Sequence, residues 1–213
     1  MWSQASKEKI EASPHTITIA AIKPEIRRLA GFIILFNGYV WAALDQEKAV
    51  LDKPRLDPLT YRDAMSRLAA HVQVVTAAKD GERRGVTVTA ACSVSDNPPT
   101  LLVCLNGANP RNAIFSLGGS FALNLLSADE TDIAHAFSGR DQLDSALRFS
   151  RAAWTTLETG SPVLTNAAAA FDCRIIDVKT VATHIVLFGE VVAVKLGEKK
   201  PALLYLDRSY RTL

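Results

Sequence analysis

A mainly β fold with a few peripheral helices, closed as a barrel, is what this 213-residue sequence predicts. Three observations lead there. Short apolar runs rich in β-branched residues recur along the chain from residue 71 onward, each bounded by glycine, proline, asparagine or aspartate. Two longer runs of the same kind, 169–178 and 183–195, follow each other with only a short break. Helix signals are few and isolated, without the strand–helix alternation of a parallel doubly wound sheet.

The elements justify themselves in order. Residues 1–58 close with Lys53-Pro-Arg-Leu-Asp-Pro58, whose two prolines and mixed charge mark a break near Pro58. The segment before it is read as an N-terminal extension that either packs on the barrel or a partner or does not fold stably, and residues 59–213 form the main domain. Within the extension, residues 32–41 read as two short strands around a type I′ turn at Asn37-Gly38. A helix follows with Thr60 as N-cap and Tyr61, Ala64, Met65 and Leu68 as its apolar stripe. Residues 71–76 then predict a strand, Asp80-Gly81 a turn, 85–91 its partner strand, and 101–105 a buried strand after the stop at Pro98-Pro99. Asn109-Pro-Arg-Asn112 predicts a short helix carrying Ile114, Phe115 and Leu117 inward. Residues 121–126 are a strand, Ser127-Ala-Asp-Glu130 is a capping box opening a helix that stops at Gly139, and 202–206 is a last short strand.

Composition narrows the function classes. The formal charge of +2 is nearly balanced and its lysines and arginines are dispersed, so neither a nucleic-acid footprint nor a polybasic membrane patch is predicted. The longest apolar run, 29–44, falls short of the roughly 20 residues that a membrane-spanning helix needs. Cys92, Cys104 and Cys173 lack the spacing of a metal knuckle or a redox motif and read as reduced, buried thiols of a cytoplasmic protein, with Cys92 kept open because it sits in the candidate ligand loop. No Ser-His-Asp order, metal-ligand cluster or carboxylate pair is apparent, so hydrolase and metalloenzyme chemistry has no support.

Two places carry chemistry. If residues 85–95 stay extended, Thr87, Thr89, Ser93 and Ser95 share one face while Val86, Val88, Cys92 and Val94 share the other, giving a packing side and a small, hydroxyl-rich binding side. Asn106-Gly-Ala-Asn-Pro-Arg111 joins a strand to a helix N-terminus, where free N–H groups favour an anion and Arg111 adds a charge. A plain capped turn with a solvated arginine explains the same residues. His184 is the third candidate: a histidine in an apolar strand needs a partner if buried, and a core histidine held by a backbone carbonyl is the bland explanation.

The blocks Tyr61-Arg-Asp-Ala-Met-Ser-Arg-Leu68, residues 85–106, Phe121-Ala-Leu-Asn-Leu-Leu126, Phe137-Ser-Gly139 and Thr183-His-Ile-Val-Leu-Phe-Gly189 resemble, in order and spacing, the flavin reductase family. These are short-chain split-barrel reductases that supply two-component monooxygenases. The resemblance covers residues 61–213 and implies a split β-barrel FMN-binding fold and a homodimer. It further implies reduction of FMN, or FAD, by NADH or NADPH, and a partner monooxygenase that receives the reduced flavin. By the same resemblance, Val86, Thr87, Val88, Thr89, Ala91, Cys92 and Ser93 line the isoalloxazine and ribityl. Asn106, Gly107, Ala108, Arg111 and Asn112 take the phosphate end, Thr183 and His184 contact the nicotinamide, and Phe121 and Asn124 support the pocket at the dimer interface. Catalysis is expected to need no side-chain acid or base, because hydride passes between two cofactors. The chain departs from the family pattern at Gly107, where a basic or hydroxyl residue is usual, and at Asn112, where an aromatic one is. A smaller, less basic loop implies weaker flavin retention or a preference for FMN over FAD. A flavin-binding module without turnover and an oxidase of the same superfamily are the rival readings.

Overall fold

The structure, a computed structural model, describes residues 56–213 apart from residue 142. The predicted 32–41 hairpin and nearly all of the extension lie outside the described residues.

The chain opens with helix α1 (Pro58–Ser66). Its N-cap is Asp57, not Thr60: the Asp57 carboxylate accepts from the Leu59 and Thr60 amides and from the Thr60 hydroxyl. Aspartate is the stronger acceptor there, and Pro58 then falls at the first helical position, where its missing N–H costs nothing. The predicted stripe does not face the described core, since Tyr61, Met65 and Leu68 are all exposed.

Strands β1 (Ala70–His71), β2 (Gln73–Lys79) and β3 (Glu82–Val88) follow. Asp80 and Gly81 both have positive φ, at 52° and 83°, as the predicted tight hairpin requires. Next come β4 (Ala91–Asp96) and β5 (Pro99–Asn106), then a 3-10 helix (Pro110–Ile114) capped by the Asn109 side chain, and β6 (Ser120–Leu125). The capping box is present as predicted: Glu130 accepts from the Ser127 amide at 2.8 Å, and a 3-10 turn leads into α2 (Thr131–Ser138), which Gly139 ends at φ 82°. A short helix α3 (Ser145–Phe149) and the strand pair β7 (Trp154–Thr155) and β8 (Val163–Leu164) were not anticipated. The two long β-rich runs were, and they pair as the hairpin β9 (Ala169–Val181) and β10 (His184–Leu196); β11 (Leu203–Leu206) is followed by β12 (Ser209–Thr212), a strand beyond the last one predicted. Among the described residues no helix is long and apolar enough to cross a membrane.

Seven strands make one antiparallel sheet in the order β3-β2-β6-β9-β10-β5-β4. Its two edge strands are consecutive in sequence and joined only by Thr89 and Ala90, so the sheet must curl until its edges meet. The Ala90 carbonyl accepts from the Cys104 amide at 2.9 Å, continuing the β4–β5 ladder into this connection. β3 and β4 are not paired with each other, which makes the barrel split.

Strand parity distributes the core. Odd-numbered residues of β2, β5, β6 and β9, among them Val75, Leu101, Val103, Leu105, Phe121 and Cys173, fill the interior with Leu187, and Phe115 plugs one end. Even-numbered Val72, Val74 and Ala122 face outward against Ile133, Ala134 and Phe137 of α2, Phe149 of α3 and Leu203. β2 is therefore buried on both faces from Gln73 to Ala77, including the polar Gln73 and Thr76. Gly85 is where α2 comes closest: a methyl there would overlap the Phe137 ring. Gly189 has the same role inside, where a Cβ would lie 2.6 Å from Phe121.

Three expectations of inward packing fail. Cys92 and Val94 are exposed because β4 is the sheet edge and a bulge between Ser93 and Ser95 breaks its alternation. Leu117 is also exposed, because the chain turns away through Gly118 at φ 77°.

Candidate functional site

The strand register assembles one end of the barrel. His184 pairs with Val181 on β9 and with Asn106 on β5, so the candidate nicotinamide contact lies beside the start of the candidate phosphate turn. The Gly107 amide donates to the Thr183 carbonyl at 2.9 Å, tying the two loops together. A side chain at 107 would crowd that carbonyl, with a Cβ 3.3 Å from it. His184 is not a core histidine. It is exposed at the first position after a turn through Ala182, whose φ is 50°, and its Nδ1 lies 3.0 Å from the Thr183 hydroxyl.

The 106–112 turn is internally braced. Asn106 Oδ1 accepts from the Ala108 amide at 2.8 Å, and Asn109 Oδ1 from the Arg111 amide at 3.0 Å. Asn112 is buried, with both ends of its side-chain amide engaged: Nδ2 donates to the Asn106 carbonyl at 2.9 Å, and Oδ1 accepts from Arg84 Nε at 3.0 Å. An aromatic ring could not bridge those two groups, which gives the departure at 112 a physical reason. The consequence is a buried link from the turn to a basic residue of β3.

Arg84 and Arg148 are the functional candidates that the sequence reading missed. Both line a cavity of about 520 Å³ together with Arg83, Arg111 and Ser145. Burial first, and then the nearby Arg148 and Arg111 charges, lower the Arg84 pKa from its ordinary value. The only sequence cue was Arg83-Arg84 just before Gly85, and nothing local ties Arg148 to it.

A second cavity, about 330 Å³, opens at the other end of the sheet. Ala91, Cys92 and Ser93 line it, with Gln73, Ser95 and a mostly apolar wall that includes Leu101, Phe171 and Val194. Gln73 Oε1 is buried there with no hydrogen-bond partner among the described residues. Ala91 pairs with Val103, three residues from Asn106 along β5, so the slot and the turn lie about 10 Å apart along that strand.

The β3 residues play other parts. Val86 and Val88 pack into the barrel interior, and the Thr87 hydroxyl donates to the Ala134 carbonyl at 2.8 Å, fastening α2. Thr89 is exposed in the connection to β4. As an edge strand, β3 offers unpaired backbone groups to a ligand rather than a row of hydroxyls. Phe121 and Asn124 are fully buried within the chain, and Asn124 holds Val74, Thr76 and Leu164 together. Of the cysteines, Cys92 is exposed, contrary to expectation, while burial raises the pKa of the Cys173 thiol and keeps it unreactive. Among the described residues no group of histidines, cysteines and carboxylates could hold a metal ion.

The site is thus a split barrel with an internally braced turn, a histidine hairpin beside it and a mostly apolar slot. The family model described as "Flavin reductase like domain" matches residues 65–213. The chain is 44% identical over 158 residues, 74% of its length and 76% of the relative's, to a protein of Methylorubrum extorquens named "FMN reductase (NADH) RutF". A protein of the same name from Stutzerimonas stutzeri is 44% identical over 153 residues, covering 72% and 87% of the two chains. Among solved structures, a Haemophilus somnus protein assigned as a flavin reductase superposes with a TM-score of 0.71 at 37% identity, over 74% of this chain and 100% of its own. The styrene monooxygenase flavin reductase of Pseudomonas putida gives a TM-score of 0.64 at 27% identity, over 72% and 97%. The chain belongs to the flavin reductase-like family.

Proposed function

We propose that this protein is an NADH-dependent FMN reductase whose reduced product serves a separate flavin-dependent oxygenase. The observation that carries this is the pairing of His184 with Asn106, which sets the hairpin for one cofactor beside the turn for the other, in a chain whose relatives bear that activity in their names. The oxygenase partner rests on neighbours named as the reductases of a styrene monooxygenase and of a two-component tryptophan halogenase.

The described residues fit FMN. The slot beside Ala91, Cys92 and Ser93 is mostly apolar, and the orphaned Gln73 Oε1 offers an acceptor for a ring N–H. Amides of the 106–108 turn and the Arg111 charge suit a phosphate. Thr183 and His184 then face the nicotinamide. Flavin, when bound, supplies the hydride acceptor: NADH gives up one hydride, and the flavin takes that hydride and a solvent proton. The chain's own task is to hold two rings in contact and exclude water, which accounts for a site without an acid–base pair.

The test is NADH oxidation followed by the loss of its absorbance, with and without added FMN. We expect turnover only with flavin present and saturable quenching of FMN fluorescence. Quenching without turnover would mean a flavin-binding module, and no saturable binding would overturn the reading altogether.

A further inference from the structure

Arg84 on β3, Arg111 on the 3-10 helix and Arg148 on α3 converge on the cavity of about 520 Å³. Arg83 lines it as well, and the four arginines outnumber the two carboxylates that face the same cavity, Glu82 and Asp144. Ion pairs among the described residues are Lys179–Asp177, Lys200–Asp129 and Arg208–Asp63, none at this cavity. Asp144 keeps its charge while one of its oxygens caps α3 through the Leu147 amide at 2.8 Å, and Glu82 is exposed at the β2–β3 hairpin, so an excess of positive charge remains. Arg148 is only 8% exposed, yet its recorded hydrogen bond is a single one, from Nε to the Leu143 carbonyl at 2.8 Å. Arg84 likewise commits Nε alone, to Asn112. The terminal guanidinium nitrogens of both remain for something else.

Holding three like charges together, one of them nearly removed from water, is unfavourable unless a counter-charge completes the site. The geometry is fixed in advance: Leu143 positions Arg148, Asn112 positions Arg84, and the Asn109 cap positions the Arg111 backbone. Planar guanidiniums converging from three directions match an anion that carries more than one negative charge on tetrahedrally arranged oxygens.

We infer that Arg84, Arg111 and Arg148 form a pocket for a phosphate dianion, and that Arg84 and Arg148 set the preference for phosphorylated ligands. Identifying its occupant rests on the reductase reading, which offers two sources of this chemistry: the terminal phosphate of FMN and the pyrophosphate of NADH. Anion binding itself does not rest on that reading.

The experiment uses the full chain, with the variants Arg84→Lys, Arg111→Gln and Arg148→Lys. Arg111 is exposed and its side chain makes no recorded hydrogen bond, so Arg111→Gln should fold normally; the lysine variants keep charge and lose the fork. Thermal shifts are measured with inorganic phosphate and pyrophosphate against chloride at equal ionic strength. Affinities for FMN and riboflavin, and the KM for NADH, follow. We expect saturable stabilisation by phosphate or pyrophosphate, lost in the variants. We also expect a loss of roughly tenfold or more in one phosphorylated ligand, as for a charge-assisted contact, with riboflavin unchanged. Loss confined to FMN assigns the pocket to the flavin phosphate, and loss confined to NADH assigns it to the dinucleotide. No saturable effect of either inorganic anion, or equal loss for FMN and riboflavin, overturns the inference. Phosphate binding in a protein that fails to oxidise NADH would leave it standing and remove only the reductase reading.

Discussion

His184 shows how one residue's setting changes what its substitution should do. A histidine enclosed in a strand would couple ligand binding to stability. Here the ring is exposed at a hairpin turn, next to the Thr183 hydroxyl and opposite Asn106. His184→Ala should therefore leave the melting temperature close to that of the parent, since surface substitutions usually stay within about 0.5 kcal/mol. On the proposed function, the KM for NADH should rise several-fold while FMN affinity holds. Stopped-flow reduction and flavin titration read the two separately, and a matching loss in flavin affinity would move His184 into the flavin site. The residue was identifiable from its block, but its exposure was not. The turn before it uses Ala182 and Thr183 instead of glycine, asparagine or proline, so the apolar run appeared to swallow the histidine.

At the scale of elements, local chemistry was readable wherever a side chain caps its own backbone. The Ser127–Glu130 box and the Asn109 cap stand where the sequence placed them. The α1 cap slipped to Asp57 because its carboxylate takes the Leu59 and Thr60 amides and starts the helix one turn earlier, which puts Thr60 inside it. Edge effects were not readable, since the bulge in β4 depends on its pairing with β5 and not on any residue within it. Glu130 offers a measurement at this level. Burial raises its pKa above 4.5, outweighing the Ser127 amide and hydroxyl that favour the carboxylate, and neighbouring Asp129 adds to the rise. A raised folded-state value means that the group's contribution to stability is fully present below 4.5 and is lost as pH climbs through that higher value. Gln at this position keeps the capping geometry without the charge. Glu130→Gln should be at least as stable as the parent at pH 7, and its stability should decline less between pH 4 and pH 7. Urea midpoints across that range test this; a variant clearly weaker at neutral pH would show that the carboxylate's hydrogen bonds outweigh its desolvation.

Across the whole molecule, parity and turns gave the faces of each strand, but which strands meet is a long-range property. Thr89 and Ala90 close the barrel only because the order β3-β2-β6-β9-β10-β5-β4 leaves β3 and β4 at opposite edges, and no local pattern encodes that order. The arginine pocket has the same origin, with its three guanidiniums drawn from residues 84, 111 and 148. Such a fold also leaves apolar surface where one chain ends. Val192, Val194 and Leu196, at alternate positions of β10, are 36%, 50% and 81% exposed, and Val194 lines the candidate ring slot. On the homodimer reading, a second copy covers this stripe and finishes the slot. Light scattering should then give twice the chain mass for the parent. In the double variant Val194→Asp, Leu196→Asp, two-fold symmetry would bury each lone carboxylate twice at a cost of several kcal/mol, so the dimer should dissociate. FMN affinity should fall with it by at least about tenfold, because the slot loses a wall. A parent that is monomeric and binds FMN fully would show that one chain completes the site alone, and a double variant that stays dimeric would place the interface elsewhere on the barrel.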